Sequence, residues 1–456
     1  MDKQEQPSFR DRPINIDNNG KRKWIYAKQP KGKWYIRRNI FAWVCLLFLI
    51  FAPIIKIGNN PLMLLDIASR KFSLFGNLIY AQDNYILALI MAVTVVFIVM
   101  FTVTFGRLWC GWACPQTIFL EMIFRRIEYL FEGNYRHGKK PTEVSIKLVL
   151  KRLTKHVTFL MVSIFFTNIF LMWFTGPQKL LSMIKAPISE NITVFSFMLA
   201  ISIFYYWIYS YFREQVCTMI CPYGRLQGVL LDSKSISVIY DYKRGEPRGS
   251  KTAGDCIDCG QCIAVCPTGI DIKNGSQLEC INCTACIDEC NVVMKKIKKQ
   301  PNLIRFDSVY GIETGKRIIG SVRTYAYSAV LLVLVIVLSA AISKRTLIDA
   351  TIIRVSGTIY QEMDNGEITN MFTTKVINKT NANKKLSFRL LDKINGTVKL
   401  ANQNDSLKGN GALENILIVA FDKQNITHRI TKVTIGIFEK DNLLMKAKIN
   451  FIAPVK

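Results

Sequence analysis

Five long apolar segments constrain this chain more than any other feature of its sequence. A stretch of about 20 apolar residues crosses the roughly 30 Å hydrocarbon core of a bilayer. Within the five segments only Lys56 is charged, at the far end of the first. Buried core helices are the alternative, but five such lengths in one chain favour membrane spans. The sequence therefore predicts spans at residues 40–57, 85–105, 157–175, 192–212 and 325–343.

The distribution of Lys and Arg predicts how these spans are oriented. The chain carries 60 Lys and Arg against 33 Asp and Glu, a net charge of +27. Residues 1–39 and the loop 106–156 are densely basic, whereas 58–84 and 176–191 carry two basic residues each. Because basic loops stay in the cytoplasm, we expect the N-terminus, the 106–156 loop and residues 213–324 there, and the tail outside. The charge is thus attributed to topology and lipid contact, and no nucleic-acid motif accompanies it.

Eight of the 13 cysteines form two runs of the spacing C-x2-C-x2-C-x3-C. This is the spacing of two-cluster bacterial ferredoxins, in which the fourth cysteine of each run ligates the other cluster. A zinc ribbon leaves the third cysteine of each run unexplained, and disulfides are disfavoured on a reducing face. The sequence therefore predicts two 4Fe–4S clusters, one held by Cys256, Cys259, Cys262 and Cys290 (set A) and one by Cys266, Cys280, Cys283 and Cys286 (set B).

Four further cysteines form two C-x3-C-P motifs, each directly after a predicted span. The i, i+4 spacing predicts that both thiols of a motif share one helical face, with the helix ended or kinked by the proline. The motifs are Cys110-x3-Cys114-Pro115 and Cys217-x3-Cys221-Pro222. Three interpretations are open. The thiols could bind Cu(I), zinc or an iron–sulfur cluster, they could cycle between dithiol and disulfide, or they could pack as small apolar residues. Whether the four make one site or two stays open at this level.

The remaining candidate ligands are interpreted as structural. Cys45 lies alone inside the first span and is expected to pack there. The three histidines, His137, His156 and His428, have no ligand spacing with one another.

Residues 350–456 lack cysteine and differ from the rest of the chain in their pattern. They consist of short stretches rich in β-branched residues, separated by turns of Asn, Asp, Gly and Lys. About seven strands are expected, which is typical of an immunoglobulin-like sandwich without its disulfide. The predicted fold class is therefore an α-helical membrane protein with an inserted ferredoxin-type domain and an all-β tail. The predicted domains are a basic segment 1–39, a four-span membrane domain 40–240, a 2×4Fe–4S domain 241–310, a fifth span 325–343 and the sandwich 350–456.

Five stretches of this sequence resemble the FixG/RdxA family of cytochrome c oxidase accessory proteins, also called CcoG. They are FGRLWCGWACPQT, CTMICPYGRLQ, YDYKRGEPRG, GDCIDCGQCIAVCPTGIDI and LECINCTACIDEC. The resemblance implies a membrane polyferredoxin of the bacterial inner membrane that reduces Cu(II) to Cu(I) for assembly of cbb-type oxidase. It also implies copper handling by Cys110, Cys114, Cys217 and Cys221, with an unidentified cytoplasmic electron donor and oxidase assembly factors or a copper transporter as partners.

Two other functions are compatible with the same motifs. One is a quinol dehydrogenase-type membrane ferredoxin that passes electrons to a periplasmic reductase; the sandwich tail and the RGEPRG linker argue against it. The other is an assembly scaffold without enzymatic activity, in which the clusters are only structural.

Overall fold

The computed structural model describes residues 22–58, 60–67, 71–80, 83–135, 146–249, 254–275, 277–316, 320–346, 348–357, 359–363, 366–380, 382–392, 395–401, 406–409, 411–426 and 428–454. The first part of the basic segment 1–39 and His137 lie outside these residues. The chain forms two compact units. One contains the described residues up to 55 together with 85–338, and the other contains 56–84 together with the residues from 339 onward.

Five helices in the described part of the chain are long and apolar enough to cross a membrane. The first ends at Phe51, earlier than the predicted boundary at 57, because Pro53 cannot continue a helix and Lys56–Ile57 form a short strand instead. No residue in the spanning window of the fifth is buried inside the protein, so its apolar side chains face outward. The helices are Lys33–Phe51, Asn84–Phe105, Ile146–Thr175, Ile192–Trp207 (extended by a π-helical turn Ile208–Phe212) and Val322–Ser343.

Aromatic side chains fill the core between the helices of the first unit. Phe119 and Phe124 lie on the π-helical stretch Phe119–Phe124, where Phe119 packs on Phe166 and Phe124 stacks on Tyr209. Cys45 lies at the edge of this core, half-buried, in agreement with a packing role. Short helices continue from the spans at Leu108–Trp112, Pro115–Ile118, Arg125–Glu132, Pro177–Lys185 and Pro222–Leu230, with a π-helical turn at Val216–Ile220.

The ferredoxin-type segment is framed by two antiparallel strands, Ser237–Tyr240 and Ile304–Asp307. Between and after these strands lie the helices Tyr242–Gly245, Gln261–Ala264, Ala285–Lys296 and Val309–Thr314 and the 3₁₀ turn Ile272–Asn274.

The segment also caps the first spanning helix. Both carboxylate oxygens of Asp288 accept hydrogen bonds from the backbone of that helix, from Trp34 N at 3.2 Å and Tyr35 N at 2.8 Å. These are two of the donors that a helix start leaves unpaired.

In the second unit, the seven predicted tail strands are all present and form two sheets. One sheet contains Ile348–Arg354, Glu367–Asn378, Ala412–Asp422 and Gly396–Leu400, with Gln361–Glu362 paired at its side. The other contains Ser387–Leu390, Ile430–Glu439 and Asn442–Ile452, and Lys384–Lys385 pairs with Ser406–Leu407. Leu417, Val419, Ile435 and Phe451 are fully buried in the core of the tail, as a sandwich requires.

Residues 56–84 form a small sheet that was not predicted from the sequence. Its strands are Met63–Asp66, Lys71–Leu74 and Asn77–Tyr80, beside the pair Lys56–Ile57 and Asn60–Pro61. Asp83 ties the segment to the tail through ion pairs with Arg345 at 2.6 Å and Lys379 at 2.7 Å. The loop between the first two spans and the tail therefore belong to the same compact unit.

Candidate metal centres

Two cavities in the ferredoxin-type segment are lined by the eight clustered cysteines. All four cysteines of set A line one cavity, together with Tyr240 and Met294. All four of set B line the other, together with Thr268 and Ile272. Cys262 borders both cavities, so the two sets are direct neighbours. Each cavity thus collects three cysteines of one run and the last of the other, with Cys262 as a fifth cysteine at the cavity of set B.

The backbone of the two runs follows the same course. Asp258 and Gly260 in the first run, and Asn282 and Thr284 in the second, have φ values between +53° and +68°. Left-handed residues that alternate with ordinary ones create a concave array of backbone N–H groups, which suits an anionic iron–sulfur cluster. The two halves of the segment are therefore structural repeats of each other.

The chemistry of the cysteines fits iron–sulfur clusters. Burial raises the pKa of Cys262, Cys280 and Cys290 to about 12. Thiols buried in this way become thiolates only beside a cationic partner, which the iron of a cluster supplies. Among the described residues, no three His, Cys, Asp or Glu side chains are arranged to hold a single metal ion.

The four thiols of the C-x3-C-P motifs lie in one region of the protein (the four-thiol site). Burial is the main influence that raises the pKa of Cys217 to about 12, and the neighbouring thiols Cys114, Cys110 and Cys221 add to it. Burial also raises the pKa of Cys110 and Cys114, and Cys221 contributes to both. Because charges influence one another strongly only at short range, the four thiols lie in one region of the protein.

The local geometry of the motifs differs from the predicted shared helical face. Cys110 lies in the helix Leu108–Trp112 and Cys217 in the π-helical turn Val216–Ile220. Cys114 and Cys221 instead have extended backbone, with ψ of 125° and 110°, and precede the prolines that open the next helices. The prediction of one face was wrong because a residue before proline is disfavoured in the helical region. A residue with positive φ follows the second and the fourth span and turns the chain toward the motif. These residues are Gly106 and Arg213.

Two polar residues that sequence reasoning missed contact the four-thiol site. Gln227 is fully buried, and its Oε1 accepts from the Cys110 thiol at 3.0 Å and from Arg107 Nε at 3.1 Å. Arg107 is buried as well, and its charge opposes the rise in the pKa of Cys110 and Cys217 that burial causes. Both residues lie within the stretches quoted for the resemblance, FGRLWCGWACPQT and CTMICPYGRLQ, but neither has a spacing that predicts its role.

A buried ion-pair network lies beside the second motif. Arg125 pairs with Glu121 at 2.6 Å and with Glu214 at 3.7 Å, and it also donates to the carbonyl of Pro267 at 3.2 Å. Arg213, in the turn after the fourth span, pairs with Glu128. Since Pro267 follows Cys266 of set B, the network connects the membrane helices with the ferredoxin-type segment.

Backbone contact joins set B directly to the first C-x3-C-P motif. A Cβ atom placed on Gly111 would lie 2.2 Å from the carbonyl oxygen of Ile281 and 3.1 Å from the backbone nitrogen of Cys283. The indole of Trp112 donates to the carbonyl of Asn282 at 3.3 Å. Set B is therefore the cysteine set that touches the four-thiol region. In set A, Cys259 is exposed.

His156 lies apart from these sites, on the third spanning helix, where it contacts the hydroxyl of Tyr206 at 3.0 Å. Arg244, in the segment between the fourth span and the first cysteine run, is paired with Asp255 and donates to the carbonyls of Gln300 and Pro301, so it binds the ferredoxin-type segment.

Three family models match this chain. Residues 212–309 match a "4Fe-4S dicluster domain" and residues 87–136 a "4Fe-4S binding domain". Residues 338–454 match a domain described as "IG-like fold at C-terminal of FixG, putative oxidoreductase". With the five long helices, these matches confirm the predicted fold class.

Curated relatives cover most of the chain. Protein RdxA of Cereibacter sphaeroides is 29% identical over 415 residues, covering 86% of this chain and 85% of that protein. Protein RdxB of the same organism is 30% identical over 383 residues, covering 79% and 80%. Nitrogen fixation protein FixG of Rhizobium meliloti is 34% identical over 310 residues, covering 63% of this chain and 57% of FixG.

The spanning helices, the cysteine sets and the matched domains together define a membrane-bound iron–sulfur electron-transfer protein. The chain belongs to the FixG/RdxA family, as the sequence motifs predicted.

Proposed function

We propose that this chain is a membrane cupric reductase that converts Cu(II) to Cu(I) for assembly of a cbb-type cytochrome c oxidase. The observation that carries the proposal is the backbone contact of set B with the first C-x3-C-P motif, whose two thiols lie in the same region as those of the second motif. Thiolates are soft ligands that favour Cu(I) over Cu(II), so the site stabilises the product of the reduction.

Each residue set has a distinct role in this proposal. Set A and set B each hold a 4Fe–4S cluster, which when bound supplies one-electron storage and transfer. Cys110, Cys114, Cys217 and Cys221 bind copper, and Arg107 and Gln227 hold the Cys110 thiol in place. One electron converts each Cu(II) to Cu(I), and a cytoplasmic one-electron carrier replaces that electron.

Copper is treated as a substrate and not as a resident ion. We further propose that the N-terminus and the ferredoxin-type segment face the cytoplasm and that the tail lies outside, where it meets oxidase assembly factors or a copper transporter.

The test is an anaerobic titration of the purified protein with Cu(II), which follows cluster bleaching together with Cu(I) trapped by a chromogenic chelator. We expect about one Cu(I) per electron withdrawn. The double variant Cys217→Ser/Cys221→Ser should reduce Cu(II) much more slowly at unchanged iron content. Cys45→Ser, which changes a packing position, should keep the rate of the unmodified protein. An unchanged rate in the double variant would exclude the thiol site.

Iron analysis of the same samples separates two further outcomes. Two clusters correspond to about eight iron atoms per chain. About twelve would assign the four thiols to a third cluster, consistent with the description of the domain matched by residues 87–136. If a quinone oxidises and so bleaches the clusters whereas Cu(II) does not, the quinol dehydrogenase alternative is favoured instead.

A further inference from the structure

Arg38 occupies an unusual position between the first spanning helix and set B. Its side chain is buried, with the residue 2% exposed, and Nε donates to the carbonyl of Gly111 at 2.7 Å. Burial raises the pKa of Cys283 to about 11, and the positive charge of Arg38 is the largest influence that opposes this rise. Gly111, whose carbonyl Arg38 binds, packs against the backbone of Cys283, so the guanidinium lies beside set B at its contact with the first C-x3-C-P motif.

The charge of Arg38 is not balanced by a carboxylate. Among the described residues, none has a carboxylate oxygen within 4.0 Å of it, and its second terminal nitrogen is buried without a hydrogen-bond partner. Arg125, equally buried and close by, pairs with two glutamates. Glu121 also acts on Cys283, but its negative charge is paired with Arg125. A buried cation without a counter-charge is costly, so the missing anion is expected where the guanidinium faces, at set B.

Set A lies in a different electrostatic environment. The cations that act on its thiols are Lys273 on Cys262 and Arg244 on Cys290. Lys273 is paired with Asp258 and Asp271, and Arg244 with Asp255. The cations that act on set A are thus paired with carboxylates. Set B instead experiences Arg38, which has no such partner, and Arg107, which acts on Cys280 and is bonded to the neutral Gln227.

We propose that Arg38 is a positioning residue that raises the reduction potential of the cluster at set B above that of the cluster at set A. Adding an electron makes a thiolate-held cluster more negative, and a fixed cation nearby stabilises that reduced form. The difference directs electrons from the side of the exposed Cys259 toward Gly111 and the four thiols. This inference rests on the cluster occupancy of the proposed function but not on copper.

The test is a redox titration of the full-length protein, purified anaerobically and followed by electron paramagnetic resonance, with no copper present. In Arg38→Gln the midpoint potential of the higher-potential cluster should fall by at least 59 mV, a tenfold change for one electron, while the other cluster stays unchanged. The matched control is Arg37→Gln, an exposed neighbour on the same helix, which should move neither. Unchanged midpoints at full iron content, or a shift of the lower-potential cluster alone, would overturn the proposal.

A second variant covers the case in which Arg38→Gln does not assemble its clusters. In Arg38→His the charge itself titrates near neutral pH. The proposal predicts that one midpoint becomes more pH-dependent between about pH 5 and 8 than in the unmodified protein, because the imidazolium supplies the cation only at the lower pH. The same pH profile in both proteins would contradict it. Neither measurement involves copper, so a negative result here does not bear on cupric reduction, which the Cu(II) titration tests. Iron and sulfide analysis of the same samples reports whether the clusters are present.

Discussion

Replacing Gly111 by alanine tests whether the contact between set B and the four-thiol site carries electrons. The residue lies inside the helix Leu108–Trp112, where alanine is by itself favourable. The added Cβ would lie 2.2 Å from the carbonyl oxygen of Ile281, whereas ordinary contacts begin at 3.4 Å. The two backbones must therefore separate by 3.4 − 2.2 = 1.2 Å along this direction.

The size of the effect follows from the cost of overpacking. Forcing an extra carbon into a packed backbone contact costs about 1–3 kcal/mol. At about 1.4 kcal/mol per factor of ten, the closely packed arrangement becomes roughly 5- to 140-fold less populated. If electrons pass through this contact, the rate of cluster oxidation by Cu(II) should fall by a similar factor, while iron content stays the same.

The assay is anaerobic stopped-flow mixing of the reduced protein with Cu(II), with cluster absorbance as the signal. The matched control is Gly228→Ala, another glycine in a helix, whose added Cβ would meet only the Cδ2 end of the exposed and flexible Leu278 side chain. An unchanged rate in Gly111→Ala, or an equal loss in Gly228→Ala, would refute the assignment of this contact as the electron route.

Three further predictions concern the tail, the thiols and the clusters. Asp83→Asn leaves the buried Lys379 without its close carboxylate and should destabilise the second unit by about 3–5 kcal/mol in thermal unfolding. The control is Glu414→Gln, which removes the exposed ion pair with Lys375 and should cost only about 0–1 kcal/mol. Because the pKa of Cys217 is raised to about 12, Cu(I) must displace protons, so its apparent affinity should rise with pH through the neutral range. Calorimetry in buffers of different ionisation enthalpy would detect the released protons, and a pH-independent affinity would argue against thiolate binding. An iron chelator should remove iron in two phases, the faster from set A because Cys259 is exposed; a single phase would contradict this order.

The ion pairs of Asp83 with Lys379 and Arg345 make the stability of the second unit depend on pH. Burial alone would raise the pKa of Asp83, but Lys379 and Arg345 lower it overall. A carboxyl with a depressed pKa in the folded state stabilises the fold above its unfolded value of about 3.9, and this contribution disappears as pH falls through the lower folded pKa.

The sequence was informative where local spacing determines geometry. The two cysteine sets, the five spans and the seven tail strands depend on periodicities of a few residues. The four-thiol site depends on contacts across more than 100 residues, as between Cys110 and Gln227, and local patterns contain no information about these. Arg38 and Gly111 were missed for the same reason. The sheet in residues 56–84 was missed because its two-residue hairpin loop is Phe75-Gly76, both with positive φ, and phenylalanine is not among the residues that favour such a turn.

The cap that Asp288 provides for the first spanning helix has a consequence for biosynthesis. The capped donor Trp34 N precedes Asp288 by 254 residues. At about 5–20 residues per second, the ribosome needs roughly 10–50 s to make the intervening chain. During that interval the start of the first helix lacks its partner carboxylate, and water must bind the two backbone donors. The first span therefore completes its N-terminal turn only after the last cysteine-bearing helix has been made, so that the ferredoxin-type segment finishes the assembly of the helix with which the membrane domain begins.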